Sequence, residues 1–206
     1  MRTYRATAVA IAMAALAGAA VAQEHPPMAP TKDVTIEYKY VMQGNPAQAR
    51  TSRTMIAAGG KQMRIEGLGP QGYMILDRAD ARMIMVMDQQ HMYMERPLDP
   101  ARAGPLVLQD NMKFSRTGND TVAGISCTVW QVQGQHGSGS ACISDDGVLL
   151  RAESAEQGGH MTMTATSVTF GPLAASLFQP PPGYQKMDMP AMPQGMGRPG
   201  MPPPKP

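Results

Sequence analysis

The stretch DVTIEYKYVM, residues 33–42, decides the fold. Val34, Ile36, Tyr38, Tyr40 and Met42 fall on one side of a two-residue period, and Thr35, Glu37 and Lys39 on the other. An apolar residue at every second position is the pattern of a half-buried strand, whereas a helix would repeat every three to four. Working outward, the signature recurs. SRTMIAA, Gly59-Gly60 and KQMRIE read as a hairpin. YMILDR, the turn ADA, RMIMVMD, the turn QQ and HMYMER read as a meander. KFSRT and the long run TVAGISCTVWQVQ follow, then GSACIS, a turn at Asp145-Asp146-Gly147, VLLRAES and, after Gly158-Gly159, HMTMTATSVTF. About ten short strands separated by Gly, Asp or Asn turns predict a mainly β domain built on an antiparallel sheet. Helix signals are confined to short pieces near residues 101–111, where Pro105 interrupts, and 172–177, so one or two short helices are expected.

The two ends of the chain read differently. Residues 1–22 carry Arg2 and Arg5, a short apolar run and the small-residue motif Ala20-Val21-Ala22. That is the pattern of a secretory signal peptide cleaved after Ala22, which places the protein in the periplasm or outside the cell. Residues 23–31 form a polar, Pro-rich flexible leader, residues 32–186 the β-rich domain, and residues 187–206 a Met- and Pro-rich tail with no periodicity, expected to be disordered. Later in the chain, no run is apolar enough to span a bilayer as a helix. Of the 18 Lys and Arg residues, Arg2 and Arg5 leave with the signal, and 16 remain against 16 Asp and Glu. A formally neutral mature chain argues against a nucleic-acid partner or a polybasic membrane contact.

Cys127 and Cys142 are the two cysteines of the chain, and they flank the turn-rich QGQHGSGS. In an exported protein such a pair is most simply a disulfide. Two strands folding back around residue 134 or 135 would set the two cysteines opposite each other. A redox or metal pair is the rival reading, and no C-x-x-C spacing supports it.

Methionine is the unusual residue here: 20 of 206, against three Phe and one Trp. In RMIMVMDQQHMYMERP, residues 82–97, strand parity puts Met83, Met85 and Met87 on one face and Ile84 and Val86 on the other. Across the turn, Met92 and Met94 share a face, while His91 and Tyr93 take the opposite one. His91 therefore cannot join these methionines in one metal site, and His160 is separated from Met161 and Met163 in the same way. Flexible thioethers fill irregular cores and also line adaptable clefts. In the tail no parity applies, and Met187, Met189, Met192, Met196 and Met201 could wrap a soft Cu(I) ion. GLGPQG, residues 67–72, matches a dinucleotide pattern by letter but sits between strands and holds Pro70, so it is discounted. No local signature marks a Ser-His-Asp arrangement.

DVTIEYKY, GKQMRIE, ILD before RMIMVMDQQHMYME, VAGISCTVW and LFQPPPGYQ stand in an order that resembles a bacterial exported family known as a domain of unknown function, DUF4412-like. That family is similar in fold to the curved half-barrel of lipoprotein carriers such as LolA. The resemblance implies an antiparallel sheet curved into a LolA-like half-barrel, and it brings no catalytic residues. A non-catalytic exported protein is expected, binding an apolar small molecule, a lipid, a lipoprotein or an envelope partner. Met83, Met85, Met87, Met92 and Met94 are its candidate lining, with no cofactor. Copper handling by the tail is the alternative, and a hydrolase a distant third.

Overall fold

The computed structural model describes residues 25–42, 49–67, 72–98, 112–134, 137–156 and 159–187. The expected signal peptide and the tail beyond Met187 lie outside the described residues. Twelve strands form one sheet. They are β1 (Val34–Met42), β2 (Arg50–Ile56), β3 (Gln62–Glu66), β4 (Gly72–Asp77), β5 (Arg82–Met87), β6 (Met92–Pro97), β7 (Lys113–Val122), β8 (Ile125–Gly134), β9 (Gly137–Ile143), β10 (Leu149–Glu156), β11 (Gly159–Phe170) and β12 (Gln185–Lys186). The spatial order is β12-β6-β5-β4-β3-β2-β1-β11-β10-β9-β8-β7. Two antiparallel meanders, β1–β6 and β7–β11, are thus sewn together where β1 pairs with β11. β6 and β7, consecutive in the chain, stand at opposite ends of this order.

The alternation read in residues 33–42 is the alternation observed: Val34, Ile36 and Tyr38 are buried while Glu37 and Lys39 are exposed. One core cluster joins Val34, Ile36, Met63 and Leu76 of the first meander to Phe114, Trp130 and Leu150 of the second. Residues so far apart in strand order can touch only if the sheet curls, so this cluster marks its inner face. Tyr38 crosses that interior and donates from its hydroxyl to the Leu149 carbonyl at 2.7 Å. Burial pushes its phenol well above the usual range.

Curl has a local source. β11 carries one extra residue, Thr166, between the partners of Glu37 and Tyr38, and β7 carries Thr117 between Arg116 and Gly118. Both are β-bulges, which bend a strand and raise its twist. In each, the bulged threonine hydroxyl donates across to the neighbouring strand, to the Glu37 carbonyl and the Val129 carbonyl, both at 3.1 Å.

Several expectations need correction. The strands number twelve rather than about ten, because β12 is a two-residue strand without periodicity and lies parallel to β6. TVAGISCTVWQVQ is not one run: β7 continues through Val122, and Ala123-Gly124 turns the chain with positive φ at both residues. No α-helix occurs among the described residues. The segment 172–177 yields only a 3-10 turn, Ala175–Phe178, and 101–111 lies outside the described residues. The leader is anchored in its later half. Pro26 and Pro30 are buried, the Pro30 carbonyl accepts from Gly59 N–H at 2.7 Å, and Thr31 N–H donates to the Asp146 carbonyl at 2.9 Å. Gly147, at φ +81°, lies under the leader, where a Cβ would meet the Ala29 carbonyl oxygen at 2.1 Å.

Cys127 and Cys142 are bonded, with Cα atoms 5.4 Å apart. Their strands are not in the expected register. Gly134 faces Gly137, so Cys142 stands opposite Val129 and the bridge runs diagonally to Cys127. The turn is centred one residue later than the sequence symmetry suggests.

Candidate binding face

The β5–β6 hairpin and its neighbour β4 carry the methionine-rich patch. Register alone orders it. Met85 faces Met94 on one side and Met74 on the other, and Met87 faces Met92. Met83 pairs with Leu76 and Arg96. From Met74 the row continues through Ile65, Thr54 and Ile36, which belong to the inner face. All five methionines read from residues 82–97 therefore sit on the inner face of the curled sheet. Their burial is graded. Met83 packs against the main core, Met87, Met92 and Met94 are half-buried, and Met85 is 41% exposed. The patch is one point at which the apolar interior reaches the surface; Met42 of β1, 45% exposed, is another. Met74 belongs to it and was not singled out from the sequence, although the symmetry of the β4–β5 hairpin implies its pairing with Met85.

Ile84 and Val86 point the other way and are nonetheless buried, at 0% and 2% exposure. A second, smaller core explains this. Residues 171–187 run back across the outer face of β2–β6 as a strap, and Phe178 packs there with Met55, Ile75, Ile84 and Val86. Leu173, Leu177 and Tyr184 close its margin. The strap is held at both ends. At its start, Asp33 accepts the backbone N–H groups of Leu173 and Ala58, each at 2.8 Å. Those two amides hold the Asp33 carboxyl below the usual carboxylate range. At its finish, Gln185 N–H donates to the His91 carbonyl at 2.9 Å and Met187 N–H to the Tyr93 carbonyl at 2.7 Å. Between them, Arg64 lies 3.5 Å from the Tyr73 ring centroid and donates to the Leu177 carbonyl at 3.2 Å. No sequence signal marked the strap, because LFQPPPGYQ has no period.

His91 sits in the hairpin turn with φ 52°, its ring tilted against that of Tyr184 with centroids 5.2 Å apart, away from the methionine face. Among the described residues no group of three or more His, Cys, Asp or Glu is placed to share a metal ion. Of the tail methionines, Met187 is half-buried at the end of β12, tied by its backbone to β6. Met189, Met192, Met196 and Met201 lie outside the described residues. Among the described residues no helix is long and apolar enough to cross a membrane.

Residues 33–151 match the model of a family described as a domain of unknown function, DUF4412. The match spans more than half of the chain, and the protein belongs to that family. It stops inside β10, although β11 is the strand that joins the two meanders. No curated protein matches the sequence. Among solved structures, an uncharacterised conserved protein from Thermus thermophilus superposes with a TM-score of 0.54 at 11% identity, over 76% of this chain and 90% of that one. That likeness is one of fold. The MucA/MucB complex of Pseudomonas aeruginosa gives a TM-score of 0.47 at 16% identity, over 73% of this chain and 56% of that one. The LolA superfamily protein NE2245 from Nitrosomonas europaea gives 0.42 at 9% identity, over 74% and 92%.

Proposed function

We propose that this member of the DUF4412 family is an exported, periplasmic, non-catalytic binding protein that holds an apolar chain of lipidic character on the inner face of its β4–β6 edge. One observation carries the reading: the methionines facing each other across β4, β5 and β6 form a single apolar surface that opens to solvent at Met85. Thioethers are unbranched and polarizable, so such a surface adapts to chains of different shape. The disulfide supports an oxidising compartment.

The test uses the mature protein and an uncharged probe, monodecanoyl glycerol, below its aggregation threshold. Methionine methyl NMR shifts should move at Met74, Met85, Met87, Met92 and Met94 and leave Met55, in the outer core, unmoved. Met85→Glu sets a carboxylate on the chain's path and should weaken binding by about tenfold or more. Saturable binding with shifts confined to the outer face, or no binding at all, sinks the proposal.

A further inference from the structure

Between its turn and the Met83–Arg96 pair, the β5–β6 hairpin builds its inner face from one side-chain type. Register sets Met85 opposite Met94 and Met87 opposite Met92. The outer face of the same strands carries Ile84, Val86 and Tyr93, the branched and aromatic residues that strands favour. Unbranched thioethers thus take their place on the inner side. All four are within reach of solvent there, Met85 exposed and the other three half-buried.

The four side chains stand at the corners of a rectangle. Cβ atoms directly opposite each other lie about 5 Å apart, and positions two apart on one strand about 7 Å. Each corner is then about 4 Å from the centre. The sulfur lies two bonds beyond Cβ on a side chain with three rotatable bonds, so the four sulfurs can converge above the middle of the hairpin. Met74 stands beside Met85 on β4 and adds a fifth thioether at the margin. Among the described residues, the inner-face positions of β4–β6 hold no histidine, cysteine or carboxylate, and the His91 ring lies against Tyr184 instead. Neutral thioethers suit a soft, singly charged ion and offer no charge to offset the desolvation of a divalent one. We propose that Met85, Met87, Met92 and Met94 form a soft-metal site that takes one Cu(I) or Ag(I) ion through sulfur alone. This inference goes beyond the lipidic reading and does not depend on it. The two occupants share one face, so a decisive experiment separates thioether chemistry from apolar area.

The experiment uses the full mature chain carrying Met189→Leu, Met192→Leu, Met196→Leu and Met201→Leu, so that the tail beyond Met187 offers no thioether. One equivalent of Ag(I) should move the methyl NMR signals of Met85, Met87, Met92 and Met94 and leave Met55, in the outer core, in place. Zn(II) should move none of them. Adding Met85→Leu and Met94→Leu keeps the face apolar and removes two of the four sulfurs. It should weaken Ag(I) binding about tenfold or more and leave the affinity for monodecanoyl glycerol unchanged. An unmoved Met55 signal shows that this variant keeps its fold. No Ag(I) shift at the four methyls, equal Ag(I) affinity in the leucine variant, or a Zn(II) response overturns the metal site. Ag(I) binding without glyceride binding upholds it and overturns the lipidic reading alone.

Discussion

Phe178→Ala tests whether the strap is what buries the second face of β5. Phe178 is 1% exposed and is the largest side chain of the outer core. A fully buried ring hides about 200 Å² of surface, worth about 5 kcal/mol at about 25 cal/mol per Å². Measured Phe→Ala losses in cores fall at about 3–5 kcal/mol, and a compact unfolded chain argues for the lower end. The strap is tied down by one 3-10 turn, a two-residue strand and the Asp33 contacts. It can therefore open without unfolding the sheet, and the loss should appear there first. Hydrogen exchange at the amides of Leu173, Gln185 and Met187 should accelerate by about a hundredfold, which corresponds to about 3 kcal/mol of local opening. Exchange in β1 and β11 should change far less. Leu177→Ala, at the half-buried margin, should show the same pattern more weakly. Unchanged exchange in the strap would refute the reasoning, and so would equal acceleration in β1.

Other consequences are open to measurement. Replacing Cys127 and Cys142 by serine frees a span of 15 residues and should cost about 3 kcal/mol in urea unfolding; the unreduced protein, once unfolded, should titrate no free thiol. The Asp33 carboxyl is held below its ordinary value by the strap and turn amides. Its contribution to stability is therefore complete above the unfolded value of about 4 and is lost as pH falls through the lower folded value. Strap protection should weaken on acidification below about pH 4, and Asp33→Asn should flatten that dependence; an unaltered acid profile in the variant would discard the assignment. If the tail takes a metal, Ag(I) as a Cu(I) surrogate should shift the methyls of Met189, Met192, Met196 and Met201 while Zn(II) leaves them in place; a zinc response would remove the thioether reading.

Local alternation made most of the sheet legible. Residues 33–42 announced β1 because one face meets a core and the other meets water, whereas the β4–β6 meander, apolar on both faces, was legible from the turns between its short runs. Parity also placed Met83, Met85 and Met87 on one face of their strand and Met92 and Met94 on one face of theirs, and the register joins the two groups. What parity does not say is which face curls inward, because that depends on bulges at Thr117 and Thr166 and on pairing between distant strands. The turn at Ala123-Gly124 escaped because alanine carries no signal for a positive φ, which here is supplied by the hairpin itself. The diagonal disulfide escaped because a one-residue shift of a Gly-rich turn moves every pairing beyond it. The strap escaped for a different reason. Its few anchors, Leu173, Leu177, Phe178 and Tyr184, are spaced by prolines and glycine, and their meaning comes wholly from the surface they land on.

The seam between β1 and β11 has a consequence for how the chain reaches this state. Thr166 meets Glu37 across 129 positions of sequence, and every contact along that seam is similarly remote. Such closures are slow, because the entropy of a long loop is lost before the pairing compensates it. The first meander pairs each strand with the next one in sequence and can assemble early. Until the last long strand arrives, β1 then stands as an open border whose side chains Val34, Ile36 and Tyr38 are waiting for cover. An apolar strand with a free edge is a template for pairing with other molecules. The refolding yield should therefore fall with protein concentration, and the hazard lies in the interval between making the first strand and making the eleventh.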